Sequence, residues 1–204
     1  MIRINGVDYQ STINDSSTPG TPIGTYHLAN NPNIYEIQRT NNFEFIVSDL
    51  DGLVQPGTSN VYSNAQELIR IACQSAPIPF FSQSVLEVKR GNNTLKYAGV
   101  PTYEAGSIVL NDYIGADIAG ILSAWQALSY NSKTEKVGHA SDYKKTCSVI
   151  QYSPDYQVVR TWKMYGCWIS GLSQSDMNNE NNDVVKITAT IQYDRAEIDT
   201  SGIE

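Results

Sequence analysis

The sequence predicts a mostly β domain of α+β type, a β-sandwich with one flanking α-helix. Three observations predict it. Tyr is unusually frequent, at 13 of 204 residues, and Tyr, Thr, Val and Ile all fit a pleated, half-buried surface. Charged residues make up only 17%, and the Glu/Lys/Ala tracts of long helices are nearly absent. The elements run as several strands, one helix and several more strands, which is not the order of a repeating βαβ fold.

Residues 1–40 differ from the rest. Gln10 to Asn33 is dense in Ser, Thr, Asn, Pro and Gly and reads as an extended, loop-rich arm, either docking on a neighbour or forming a disordered leader. The domain proper spans residues 41–204. Phe43-Glu44-Phe45-Ile46-Val47 is a strand signal, followed by a turn-rich loop from Asp49 to Asn60. Ala65 to Ser75 carries two signals. Asn64 with Glu67 suits a helix cap, yet Ile69, Ile71 and Cys73 alternate with polar residues as in a strand. Pro77 and Pro79 end the segment in either case.

Val85 to Arg90, Gly91-Asn92-Asn93 and Thr94 to Tyr97 read as a hairpin around a Gly/Asn turn. Ser107 to Asp112 is a further strand. Over 116–130, Ile118, Ile121, Leu122, Trp125 and Leu128 fall at helical spacing and make one apolar face. Thr146–Tyr152, Val158–Tyr165 and Val184–Tyr193 are predicted as the closing strands.

The net charge of −7 makes the chain a poor candidate for gripping nucleic acid, because that affinity rests on Lys and Arg at phosphates. Cys73, Cys147 and Cys167 are odd in number and far apart, with no Cys-x-x-Cys, and read as free thiols of a reducing compartment. With only His27 and His139 as histidines, no zinc pattern is present. Met1 to Gly6 lacks the apolar run of a signal peptide, and no stretch reaches membrane-spanning length. No cofactor or metal is expected.

One motif resembles a catalytic one. The strand Phe45–Val47 leads into Asp49-Leu50-Asp51-Gly52, as in haloacid-dehalogenase-type phosphatases. That resemblance implies Asp49 as nucleophile, Asp51 as acid/base, Mg²⁺ beside them, Lys89 as phosphate clamp, and Asn111-Asp112 and Asp117 in the place of the later metal-binding carboxylates. Such a fold needs parallel strands linked by helices, and the hairpin-rich stretch before Asp112 does not supply them. Asp-x-Asp-Gly is also an ordinary turn sequence. No nucleophile elbow, phosphate-binding Gly-rich loop or full calcium loop occurs.

From about Asn42 to Glu197 the chain resembles the tail tube protein family of contractile-tailed, myovirus-type bacteriophages. The blocks that carry this are Leu68 to Pro77, the hairpin Glu87 to Ala98 with Gly99, and Leu110-Asn111-Asp112 ahead of the helix bearing Trp125-Gln126. They continue with Ser141-Asp142-Tyr143-Lys144-Lys145 before Cys147 to Tyr152, Gly166-Cys167-Trp168, and Val184 to Asp194. Ile169 stands where the family often has Pro. Their order is what makes them specific.

The resemblance implies a non-enzymatic virion protein that forms stacked hexameric rings with a continuous inner β-barrel, conducting phage DNA into the host. It favours a strand over 66–75. It implies an inter-ring stacking role for the loop Asp49 to Ser63, with Asp49, Asp51, Gly52, Leu53, Val54 and Gln55. Lys144 and Lys145 are candidates for intersubunit contacts, and Trp125 and Trp168 for core packing. The implied partners are other copies of the chain, the tail sheath, the tape-measure protein, the baseplate and tail terminator, and DNA in the lumen without specific binding; no membrane is involved. Assembly is expected in the host cytoplasm. Two neighbouring readings share the fold: a tube-initiator or baseplate tube homologue, and the inner tube of a phage-derived injection particle.

Overall fold

The computed structural model describes residues 37–55, 59, 61–178, 180 and 183–199, with the backbone alone of residues 3–4 and 7–8. Most of the predicted arm over residues 1–40 therefore lies outside the described residues, as do His27 and the centre of the loop after Gln55. Strands β1 (Arg3–Ile4) and β2 (Val7–Asp8) form a short antiparallel ladder. Strand β3 (Phe43–Val47) is followed by a small hairpin of β4 (Leu53–Val54) and β5 (Val61–Tyr62). Helix α1 (Ala65–Ala72) runs directly into β6 (Cys73–Ser75). A long ribbon of β7 (Phe81–Arg90) and β8 (Asn93–Tyr103) precedes β9 (Gly106–Asn111). Helix α2 (Ile118–Ser129), the short pair β10 (Tyr130–Asn131) and β11 (Lys136–Val137), and the single turn α3 (Ala140–Tyr143) follow. Strands β12 (Lys145–Tyr152), β13 (Val158–Gln174), β14 (Lys186–Gln192) and β15 (Arg195–Asp199) close the chain.

The main sheet has the order β3-β12-β13-β14-β9-β6, with β15 paired to β13. Every pairing in it is antiparallel. Strand β13 belongs to two halves of this sheet. Its first part lies between β12 and β15, with Trp162 opposite both Val149 and Ile198. Its second part pairs with β14, with Leu172 opposite Ala189. The change comes at Gly166, whose φ of +70° suits a residue without a β-carbon. Alternate residues point inward and are buried: Phe45 and Val47, Ile108 and Leu110, Cys147 and Val149, Ile187, Ala189 and Ile191. Helix α2 lays Ile118, Ile121, Leu122 and Trp125 onto the same core, at the predicted spacing. The fold is thus mostly β with few helices, and the sheet is open among the described residues.

The structure corrects one expectation outright. Residues 66–75 are not a strand: α1 occupies Ala65–Ala72, and only Cys73–Ser75 is extended. Ala65, Ile69 and Ala72 recur at helical spacing and are fully buried, whereas Ile71 is 63% exposed. A strand would put Ile69 and Ile71 on one face. The helix start is not capped by the Asn64 side chain; instead Asp51 Oδ1 accepts the Gln66 N–H at 3.1 Å. A cap from fifteen residues upstream leaves no local sequence signal. The predicted hairpin Val85–Arg90/Thr94–Tyr97 is longer, Phe81–Arg90 with Asn93–Tyr103. The strand read as ending at Tyr165 continues through Gly166-Cys167-Trp168 to Gln174, and β15 is a strand where none is predicted.

Candidate assembly surfaces

Two features project from the body. The first is the loop after β3. Leu50 and Leu53 are buried and anchor it, while Asp49, Asp51 and Gly52 are exposed. Asp49 and Gly52 sit at positive φ, 59° and 89°. The Gly52 N–H donates to the Tyr62 carbonyl at 2.9 Å and closes the stem. Beyond the stem Val54 and Val61 stand opposite each other in the β4–β5 pair, both 56% exposed. Tyr62 Oη donates to Asp117 Oδ2 at 2.7 Å, while Asp117 Oδ1 accepts the Gly120 N–H at 2.8 Å and caps α2. Burial first, and then the Asp117 carboxylate, push the Tyr62 hydroxyl up to about 12, so it stays a donor.

The second feature is the β7–β8 ribbon, whose side chains are almost all exposed. Its register makes it two-faced. Leu86 stands opposite Tyr97 and Val88 opposite Leu95 on one face. The other face carries Glu87 opposite Lys96, an ion pair at 3.6 Å, and Lys89 opposite Thr94. An irregularity between Gln83 and Val85 seats Gly99 against Ser84; a β-carbon on Gly99 would lie 2.3 Å from Ser84 Oγ. At the ribbon's base a groove of about 380 Å³ is lined mainly by Phe80, Phe81, Tyr103, Trp162 and Ile198. Tyr103 packs on Phe81 and Tyr193, and Tyr193 Oη donates to the Phe80 carbonyl at 3.2 Å. The exposed apolar face of the ribbon is what sequence reading missed. Alternation marks a hairpin but not whether its apolar side has a partner within the chain.

The remaining predicted residues lie elsewhere. Lys144 binds Asp194 within its own chain, at 2.6 and 2.9 Å to the two oxygens, and this raises its affinity for its proton. Lys145 is half-buried at the start of β12. Trp125 is buried and its indole N–H donates to the Tyr143 carbonyl at 2.9 Å; Trp168 meets the Tyr143 ring edge-on at 6.1 Å. Both tryptophans thus hold Tyr143, the last residue of α3.

The phosphatase arrangement is not assembled. Strand β3 pairs antiparallel with β12, Asp51 caps α1, and Asp117 serves α2 and Tyr62. Lys89 lies on the projecting ribbon. Among the described residues no three His, Cys, Asp or Glu side chains come together as a metal site. Burial raises the Cys73 thiol to about 12 and, with Cys167 beside it, holds Cys147 well above the usual thiol range.

Comparison with known proteins agrees with this architecture. The sheath–tube complex of an extracellular contractile injection system, PVC, in its extended state contains a chain similar to this one. Its TM-score is 0.60 at 15% identity, over 87% of this chain and 99% of that one. A chain of the sheath/tube terminator of such a system gives 0.58 at 17% identity, over 81% and 97%. The tube-terminating cap of the anti-feeding prophage gives 0.56 at 15%, over 80% and 91%. At these identities the likeness is one of fold. No curated protein sequence matches. Residues 41–197 match the family model described as T4-like virus tail tube protein gp19. That match covers well over half of the chain, and the chain therefore belongs to the T4-like virus tail tube protein family.

Proposed function

We propose that copies of this chain close into hexameric rings, and that the rings stack into the inner tube of a contractile phage tail, whose lumen conducts DNA. The observation that carries this reading is the β7–β8 ribbon. A lone two-stranded ribbon is marginal in water, and this one leaves Leu86, Val88, Leu95 and Tyr97 on an uncovered face. Covering each half-exposed apolar side chain contributes on the order of 1 kcal/mol. The main sheet also ends in open edges at β3 and β6, and β15 has no strand partner but β13 among the described residues. Joining ribbons and edges around a ring into one inner β-barrel removes them. A head-to-tail contact that closes in the ring and stays open along the axis gives a tube.

In this reading the β4–β5 loop, with Asp49, Asp51, Gly52, Leu53, Val54 and Gln55, stacks ring on ring. Lys145, and Lys144 alongside its bond to Asp194, face the neighbouring subunit. The arm over residues 1–40 decorates the ring. The acidic balance, −7 per copy, supports a lumen that DNA passes without sticking. The sheath outside, the tape-measure protein within, and the baseplate and terminator at the ends are the proposed partners. Assembly takes place in the host cytoplasm, and no catalytic role is assigned. A second reading, the tube of a phage-derived injection particle or its initiating subunit, is favoured by the fold shared with such particles.

Negative-stain electron microscopy of the purified chain at rising concentration tests the proposal. Rings and hollow tubes are expected, and a Leu86→Asp, Leu95→Asp variant should remain as folded monomers. Wild-type monomers that persist at high concentration would sink it.

A further inference from the structure

Val54 and Val61 of the β4–β5 pair are exposed, but the segment that carries them is tied at two points to the helices behind it. In the turn before β4, Asp51 holds the first turn of α1 through the Gln66 N–H. On β5, Tyr62 reaches Asp117, the residue that caps α2. The second tie has a space made for it. A β-carbon on Gly120 would lie 2.0 Å from Asp117 Oδ2 and 2.2 Å from Tyr62 Oη. Glycine in the first turn of a helix is otherwise unfavourable, so the pair accounts for a residue that helix propensity argues against. A hydroxyl bonded to a carboxylate is also stronger and more directional than a neutral pair.

We propose that Tyr62 and Asp117 are positioning residues of the ring-on-ring contact. Their hydrogen bond fixes the angle at which the Val54/Val61 pair leaves the body, and so the rise and twist between successive rings. This inference rests on the stacking role proposed for the loop.

The test uses the full chain and three variants, Tyr62→Phe, Gly120→Ala and Val54→Asp. The readouts are ring formation by sedimentation, the thermal midpoint of unassembled protein, the critical concentration for tubes, and helical rise and twist by cryo-electron microscopy. Tyr62→Phe is expected to form rings, with the thermal midpoint of the unassembled protein lowered by only about 2–4 °C for the hydrogen bond lost within the chain. Its critical concentration should rise above that of wild type and its twist distribution should broaden. Gly120→Ala, which intrudes on the same pair from the helix side, should reproduce the defect, and Val54→Asp should stop stacking while leaving rings. Wild-type assembly and twist in Tyr62→Phe, with stacking blocked in Val54→Asp, would overturn the positioning role alone. Normal stacking of Val54→Asp would overturn the loop's role and this inference with it. Loss of rings in Tyr62→Phe would also overturn it, by assigning the pair to the fold.

Discussion

Gly166 has no room for a side chain. A β-carbon there would lie 2.2 Å from Asp194 Oδ2, the oxygen that Lys144 holds, and its φ of +70° disfavours any other residue. Gly166→Ala should therefore destabilise the monomer by about 1–3 kcal/mol, read as a lower midpoint in denaturant. A second residue-scale prediction concerns acid. Glu44 Oε1 accepts from Arg70 at 2.7 Å and Oε2 accepts from Tyr152 at 3.0 Å, which joins α1 to β3 and β12. The Arg70 bond leads in lowering the Glu44 pKa below its ordinary value. A carboxylate depressed in the folded state stabilises above its unfolded pKa, and that contribution is lost as pH falls through the folded one. Glu44→Gln should lower the thermal midpoint at pH 7, and the gap to wild type should close as pH is taken down towards 3. A gap independent of pH would refute the assignment.

The elements divide by how local their causes are. Helix α2 was legible because Ile118, Ile121, Leu122 and Trp125 repeat at one period; that Asp117 caps it is seen only in the structure. The β7–β8 turn was legible from Gly91-Asn92, and β14 from its strict alternation. Helix α1 was not. Its eight residues carry both periods, and what decides between them, Asp51 at its start and the core beneath Ile69, lies outside the window. Single substitutions separate the two structures. Ile69→Ala should cost about 2–4 kcal/mol and Ile71→Ala less than about 0.5, whereas a strand would make the two alike. The extent of β13 escaped for a related reason. Gly166 interrupts the pattern, yet β12 pairs with β13 on both sides of it, Lys145 opposite Cys167 and Cys147 opposite Met164, and β14 takes up the ladder from Trp168. Of the candidate site, the loop from Asp49 was visible as turn chemistry; the fastening of Tyr62 to Asp117 was not, because 55 residues separate the partners.

At the scale of the whole molecule, the Asp-x-Asp-Gly turn makes the last test sharp. Asp49 is exposed at a left-handed turn position of the loop proposed to stack, so Asp49→Asn should leave the fold and ring formation unchanged, and neither form should hydrolyse phosphomonoesters with Mg²⁺. Hydrolysis by wild type that the substitution abolishes would return catalysis to the site. The shared strand has a mechanical consequence. The 17 residues of β13 have a contour length of roughly 55 Å at about 3.3 Å each, and they run through both halves of the sheet. Along that line, force travels through covalent bonds; across it, only through hydrogen bonds between strands. A subunit built this way is stiff in one direction and compliant in the other. Pulled hard enough, it should part between neighbouring strands while β13 itself stays whole.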